Sequence, residues 1–407
     1  MIKRHLEDIC FQEEFGRQMR FISGPRQIGK TTLSKNFLHL QKLDKLYFNW
    51  DLRSVRNQYL QDPYFFETDI YDAQREDRPV WVCLDEIHKM PKWKNILKDY
   101  FDKFEDTARF IVTGSARLEW FRKSGDALTG RYFLFHLFPL SLSEAAGNTM
   151  PQLREGESAT DFIERRITKV RYEQDLLIQL LYYSGFPEPF SKASNRFFRR
   201  WQMDTVDQII REDIRDLTRI IETENVASLI IRLPDRVGSP LSLNALREDM
   251  QVSYTAVKNA ISALQLTHVV FLIPPYSRSI SRAIKKEKKC YFLDWTRCPD
   301  PAFRFENYIA VELKTLIELW NDSGLGLLEL YYVRTKDRRE TDFLIVKSGQ
   351  PWWLFEANLS DAPVANHHRK HAEALGGIPV IQLTQEPKVV KKSEGAIYRI
   401  SASRFFS

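Results

Sequence analysis

Cysteine is scarce in this chain of 407 residues: Cys10, Cys83, Cys290 and Cys298 are the only four, and no two stand in a C-x-x-C spacing. That scarcity argues against a disulfide framework or a zinc site, and a reducing cytosol is the expected setting. No apolar run approaches the ~20 residues that span a bilayer. The opening "MIKRHLEDIC" has no apolar segment of the kind a signal peptide carries. A cytoplasmic protein without a membrane partner is therefore expected. Strong net charge is lacking too. The formal value is +6, too mild to indicate nucleic acid by itself. Its distribution says more: from Arg236 to Arg297 there are ten Lys/Arg against four Asp/Glu, whereas segment 201–250 has six against ten. Local basicity is the more useful footprint for a nucleic acid. The length exceeds one ordinary core and predicts two or three domains.

The most informative stretch is "RFISGPRQIGKTTLSKNFLHL". A short apolar run ends at Ser23, and Gly24 to Thr31 fits G-x-x-x-x-G-K-[ST]. Leu33, Phe37, Leu38 and Leu40 follow at helical spacing. Strand, glycine-rich loop and helix are the context this motif needs. Backbone N–H groups of Gly24, Pro25, Arg26, Gln27, Ile28 and Gly29, proline excepted, would wrap a phosphate at a helix N-terminus. Lys30 would reach the β- and γ-phosphates, and Thr31, followed by Thr32, would offer its hydroxyl to Mg²⁺.

"RPVWVCLDEIHKMPKW" carries an apolar strand, Val80 to Leu84, ending in Asp85-Glu86. Asp85 is placed to hold Mg²⁺ through water, and Glu86 to polarise an attacking water. "RFIVTGSARL" gives a further strand end, where a hydroxyl such as that of Ser115 can sense the γ-phosphate. Two readings of Arg131, just before another apolar strand, stand side by side. It faces a nucleotide, in its own or a neighbouring subunit, or it is a surface arginine. Five apolar strands alternating with helical stretches predict an α/β fold: a parallel sheet flanked by helices.

"GPRQIGKTTL", "LDEIHKMPKW", "VTGSARL", "LTGRYFLFHLFPLSLSE" and "YYSGFPEP" follow one another in an order that resembles the prokaryotic AAA-type, STAND-related P-loop ATPases with a carboxy-terminal domain of unknown function. The resemblance implies an ATPase core over 1–149, a helical segment over 150–235, a winged helix-turn-helix over 236–297 and a restriction-endonuclease-like domain over 298–407. It also implies ATP and Mg²⁺ as cofactors and allows a homo-oligomer.

The later segments have their own patterns. In "SPLSLNALREDMQVSYTAVKNAISALQLTHVVFLIPPY", a helix over Leu243–Met250 precedes a second one capped by Ser253. A β-hairpin begins after it, which predicts a helix-turn-helix with a wing. Tyr254, Thr255, Lys258 and Asn259 would line the outer face of the second helix, and Lys285 and Lys286 belong to the basic stretch "SRSISRAIKKEKK". Such groups suit phosphate and base-edge contacts, so DNA is the expected partner. A purely structural or protein-binding winged helix is the competing reading.

Further on, "FRFENYIAVELKTLIELW" is a helix, followed by hairpin strands bearing Asp342 and "FEANL", then a helix and a strand. This order resembles the restriction-endonuclease-like fold. That resemblance implies a metal set of Asp342 and Glu356, with Glu306 as the helix acid. The family's Lys position is Asn358, which carries no charge at any pH. A degenerate site without cleavage is therefore expected, unless a lysine from elsewhere, such as Lys370 on the next helix, substitutes. The expected function is an ATP-hydrolysing switch or motor acting on DNA. The alternatives are a low-turnover nucleotide-dependent regulator and an ATP-controlled nuclease.

Overall fold

The computed structural model describes residues 2–74, 79–114, 128–168, 171–208, 214, 223–277 and 287–407. These residues form two compact units, Arg4–Phe138 and a second one over Pro139–Ser407. In the first unit, five strands form one sheet: β1 (Met19–Ser23), β2 (Tyr47–Asn49), β3 (Val80–Asp85), β4 (Ala108–Thr113) and β5 (Tyr132–His136). Their order is β2-β3-β4-β1-β5 and every pairing is parallel. Interior strand β1 is buried along its whole length, as expected of a parallel sheet covered on both faces. Helix α1 (Lys30–Leu40) follows β1, and α2 (Trp93–Phe104) follows β3. Tyr100, Phe104 and Phe66 pack with Phe110 of β4 in a largely aromatic layer. The strand ends that precede the P-loop stretch and the acidic pair lie at the carboxyl edge of the sheet, where such folds hold their ligands.

The second unit begins helically: α3 (Ala159–Thr168), α4 (Gln174–Tyr183), α5 (Asn195–Gln208) and α6 (Thr223–Arg232). Helix α4 ends before Gly185, where a Cβ would lie 2.6 Å from the Trp295 ring, so only glycine fits. Next come α7 (Leu243–Met250) and α8 (Tyr254–Leu266), capped by the Ser242 and Ser253 hydroxyls accepting from Ala245 N and Ala256 N. Leu246, Val257, Ile261 and Leu264 are buried between these elements, and Val252 in the turn is partly buried. The hairpin β6 (Val270–Ile273) and β7 (Lys289–Phe292) is antiparallel.

Helix α9 (Pro301–Asp322) leads into β8 (Leu328–Arg334), β9 (Glu340–Lys347) and β10 (Gln350–Asn358), then α10 (Asn366–Ala374) and β11 (Val380–Thr384). The pattern after β11 also yields two strands that the sequence reading did not anticipate, β12 (Val390–Ser393) and β13 (Ile397–Ser401). The six-stranded mixed sheet has the order β12-β13-β11-β10-β9-β8. Strands β9 and β10 run antiparallel with Phe343 opposite Phe355, which sets Asp342 beside Glu356.

Candidate nucleotide site and a second carboxylate cluster

The loop between β1 and α1 is shaped by two glycines. Gly29 has φ 100°, a left-handed value that turns the chain into the helix, and Leu33 N donates to Gly29 O at 2.8 Å. A Cβ on Gly24 would lie 2.3 Å from Leu137 O. The Lys30 ammonium is buried and donates to Gly24 O and Pro25 O, both at 2.7 Å. It lies folded against its own loop, where a phosphate would meet it. The loop has a further support that sequence reasoning missed: the buried guanidinium of Arg4 donates to Ile28 O at 3.0 Å and to Phe138 O.

Asp85, at the end of β3, is buried. Its Oδ2 accepts from the Thr31 hydroxyl at 2.9 Å and from the Tyr47 hydroxyl, and its Oδ1 accepts from Thr113. Thr31 and Asp85 thus present two hard oxygen donors side by side, which fits a Mg²⁺ ion. Glu86 follows in a left-handed conformation, φ 60° and ψ 24°, uncommon for a residue with a Cβ. Glu86 Oε2 lies 3.5 Å from His88 Nε2 and 3.6 Å from Lys89 Nζ, and Lys89 also pairs with Asp51. Burial raises the Glu86 carboxyl above its ordinary range, with Lys89 opposing.

Not every expected residue joins this site. Arg131 N-terminally precedes β5, and its carbonyl accepts from Met19 N at 2.8 Å. Met19 begins β1, and the loop follows that strand's other end. Five residues of strand span roughly 13–17 Å, so Arg131 lies at the opposite edge of the sheet from Lys30. Its guanidinium instead pairs with Asp102 of α2, at 3.0 Å through Nε and 3.3 Å through Nη2. Arg131 thus starts its strand rather than ending it, which sets its backbone apart from the loop that carries Lys30. Ser115, Lys285 and Lys286 lie outside the described residues. The hydroxyl found at the β4 end is Thr113, bonded to Asp85.

On α8, Tyr254, Thr255, Lys258 and Asn259 are all exposed on one side, as the spacing predicts. Lys289, from the adjoining basic stretch, is not: its side chain is 1% exposed. Alternate residues of a strand share a face, and β7 uses Lys289 and Tyr291 to reach a cluster of carboxylates. Lys289 Nζ lies 3.4 Å from Glu306, 3.4 Å from Glu340 and 3.2 Å from Asp342. The Tyr291 hydroxyl donates to Glu306 at 2.7 Å. Burial works against the Lys289 charge, but Glu306, Asp342 and Glu340 outweigh it and hold the ammonium well above its usual range.

Glu356 stands beside Asp342: Asp342 N donates to Glu356 Oε2 at 3.4 Å, and Ala357 N donates to Asp342 Oδ2 at 3.1 Å. Burial, and then the Asp342 charge, raises both Glu306 and Glu356 above the carboxylate range. His368 Nδ1 of α10 is 3.6 Å from Glu356, and burial holds that imidazole down at about 4. The structure therefore gathers Glu306, Asp342 and Glu356, which the sequence singled out. It adds Lys289, which the sequence assigned to the basic wing. Asn358 lies two residues on in β10, and its carbonyl accepts from Gln385 N. Among the described residues, Glu306, Asp342 and Glu356 do not bring three ligand atoms within 4.8 Å of one another.

Residues 16–146 match the model of an AAA domain, and residues 174–296 match a domain of unknown function, DUF8612. The uncharacterized protein Rv2008c of Mycobacterium tuberculosis is 22% identical over 366 residues, covering 86% of this chain and 72% of the relative. The uncharacterized protein MJ1637 of Methanocaldococcus jannaschii is 25% identical over 294 residues, 68% of this chain and 61% of the relative. Among solved structures, AMPPCP-bound DnaA from Aquifex aeolicus is similar at 15% identity and a TM-score of 0.30, covering 65% of this chain and 85% of that one. The AAA match, the parallel sheet and the loop geometry together support a P-loop ATPase domain of the AAA type.

Proposed function

We propose that the chain binds ATP with Mg²⁺, hydrolyses it, and couples nucleotide state to DNA held on α8. The carrying observation is the 2.9 Å bond from Thr31 to Asp85 beside the buried Lys30. Loop amides and Lys30 would take the phosphate oxygens, with Lys30 exchanging its carbonyl partners for them. Thr31 and Asp85 would hold the ion, which supplies neutralisation of the charge developing between the β- and γ-phosphates. Glu86, with its carboxyl raised by burial, is the group to orient and deprotonate the attacking water. Glu86→Gln is expected to retain nucleotide and slow hydrolysis by about 100-fold or more. Hydrolysis at the parent rate in Lys30→Ala or Glu86→Gln removes the assignment. The DNA part is supported by the exposed row Tyr254, Thr255, Lys258 and Asn259. It is tested by mobility shift of duplex DNA at two salt concentrations, with Lys258→Ala expected to weaken binding and flatten its salt dependence.

One observation favours a second reading, an ATP-controlled nuclease. The cation missing at Asn358 is present at Lys289, delivered from β7 to the acids Glu306 and Asp342. A metal held by Asp342 and Glu356 would supply the hydroxide for phosphodiester cleavage, and Lys289 would offset charge on the phosphate. Plasmid nicking with Mg²⁺ or Mn²⁺, lost in both Asp342→Ala and Lys289→Ala, supports this reading. A parent protein that never nicks excludes it.

A further inference from the structure

The nucleotide site contains a residue its chemistry does not call for. Tyr47 lies on β2, at an edge of the first sheet, and its hydroxyl reaches Asp85. A carboxylate offers about four lone-pair positions, and Asp85 has three of them engaged by hydroxyls from α1, β2 and β4. The sheet order places β2 and β4 on either side of β3, which carries Asp85. Tyr47 and Thr113 thus grip the carboxylate from both flanks within the sheet. Thr31 approaches from the helix, and its bond is the one an incoming ion would exchange for a ligand bond. The Tyr47 ring is itself held, with Lys35 Nζ of α1 lying 4.4 Å from its centroid. The turn after β2 also reaches the second acid, since Asp51 pairs with Lys89, which stands 3.6 Å from Glu86.

We propose that Tyr47 is a positioning residue of the nucleotide site, its phenol fixing the Asp85 carboxylate in the orientation that holds Mg²⁺ beside Thr31. The inference rests on the ATP reading above. A ring without the hydroxyl fills the same space, so Tyr47→Phe separates positioning from packing. Partners that orient a metal ligand typically govern affinity by 10–100-fold. The experiment uses the full-length protein and a fluorescent ATP analogue, titrated first in EDTA and then against Mg²⁺ at saturating nucleotide. Tyr47→Phe is expected to bind the analogue in EDTA within about two-fold of the parent and to need about ten-fold more Mg²⁺ for half-maximal hydrolysis. An unchanged Mg²⁺ requirement in Tyr47→Phe overturns the proposal. So does an equal loss of binding in EDTA, which marks a structural role. A parent that binds no analogue, or a Lys30→Ala variant that binds it as well as the parent, defeats the ATP reading itself and takes the Tyr47 role with it.

Discussion

Gly24 has no room for a side chain, because the Leu137 carbonyl would sit 2.3 Å from a Cβ. Gly24→Ala must push the loop away from Leu137 or distort it, at a cost on the order of 1–3 kcal/mol. Thermal unfolding and nucleotide titration are expected to show lower stability and lost binding together. Arg131 makes the opposite case. Its pair with Asp102 is partly exposed, and such pairs are worth about 0–1 kcal/mol. Arg131→Ala is therefore expected to leave hydrolysis by the isolated chain unchanged within about two-fold. Residues of the contiguous P-loop were legible in the sequence because backbone, lysine and hydroxyl act within one turn of chain. Tyr47 and Lys289 were not. Their partners lie 38 and 53 residues away, Asp85 and Asp342, and only the folded pairing shows which way each side chain faces. Lys289 reads as one more lysine of a basic stretch until the pleat of β7 turns it inward.

At the scale of elements, α9 shows what periodicity can and cannot supply. Its spacing places Glu306 and Glu312 on opposite sides of an apolar stripe, and both are consequently drawn into buried surroundings. Glu306 meets Lys289 and Tyr291, while Glu312 accepts from the Tyr308 hydroxyl and from Leu142 N, each at 2.7 Å. Burial pushes the Glu312 carboxyl up to about 8. A carboxyl raised on folding binds more protons in the native state than in the unfolded one, so its contribution to stability falls as pH rises from about 4.5 through 8. Glu306 and Glu356, raised likewise, add to that slope. His368 acts in the other sense: its lowered value makes stability fall as pH drops from 6.5 towards 4. Unfolding temperature is therefore expected to decline from pH 7 to pH 9, and Glu312→Gln, which keeps an acceptor without the charge, is expected to flatten the decline. A slope identical to the parent's counts against the buried carboxyl as its source. Lys289→Met removes the cation from three acids and is expected to cost about 3–5 kcal/mol, as for a broken buried pair. The two helices α7 and α8 were legible through the Ser253 cap and the apolar positions Leu246, Val257, Ile261 and Leu264; the Ser242 cap was not. Strands β12 and β13 escaped because β12 is short and largely exposed, its place set by pairing with β13 rather than by an apolar pattern.

On the scale of the whole chain, the two compact units divide the chemistry. One holds the P-loop, Asp85 and Glu86, and the other holds α8 and the carboxylate cluster. Among the described residues no helix is long and apolar enough to cross a membrane. The basic excess of 236–297 includes Lys289, which is internally neutralised, so a DNA contact depends on fewer lysines than the sequence count suggests. The central claim is that nucleotide turnover at Lys30, Thr31, Asp85 and Glu86 serves a nucleic-acid partner. Its most direct test is the steady-state rate of Mg²⁺-dependent ATP hydrolysis, measured with and without duplex DNA for the parent, Lys30→Ala and Glu86→Gln. The account predicts turnover in the parent, a rise in rate with duplex DNA, and loss of both in the two variants. Turnover that survives Lys30→Ala, or a rate indifferent to DNA in a protein that binds none, would contradict it.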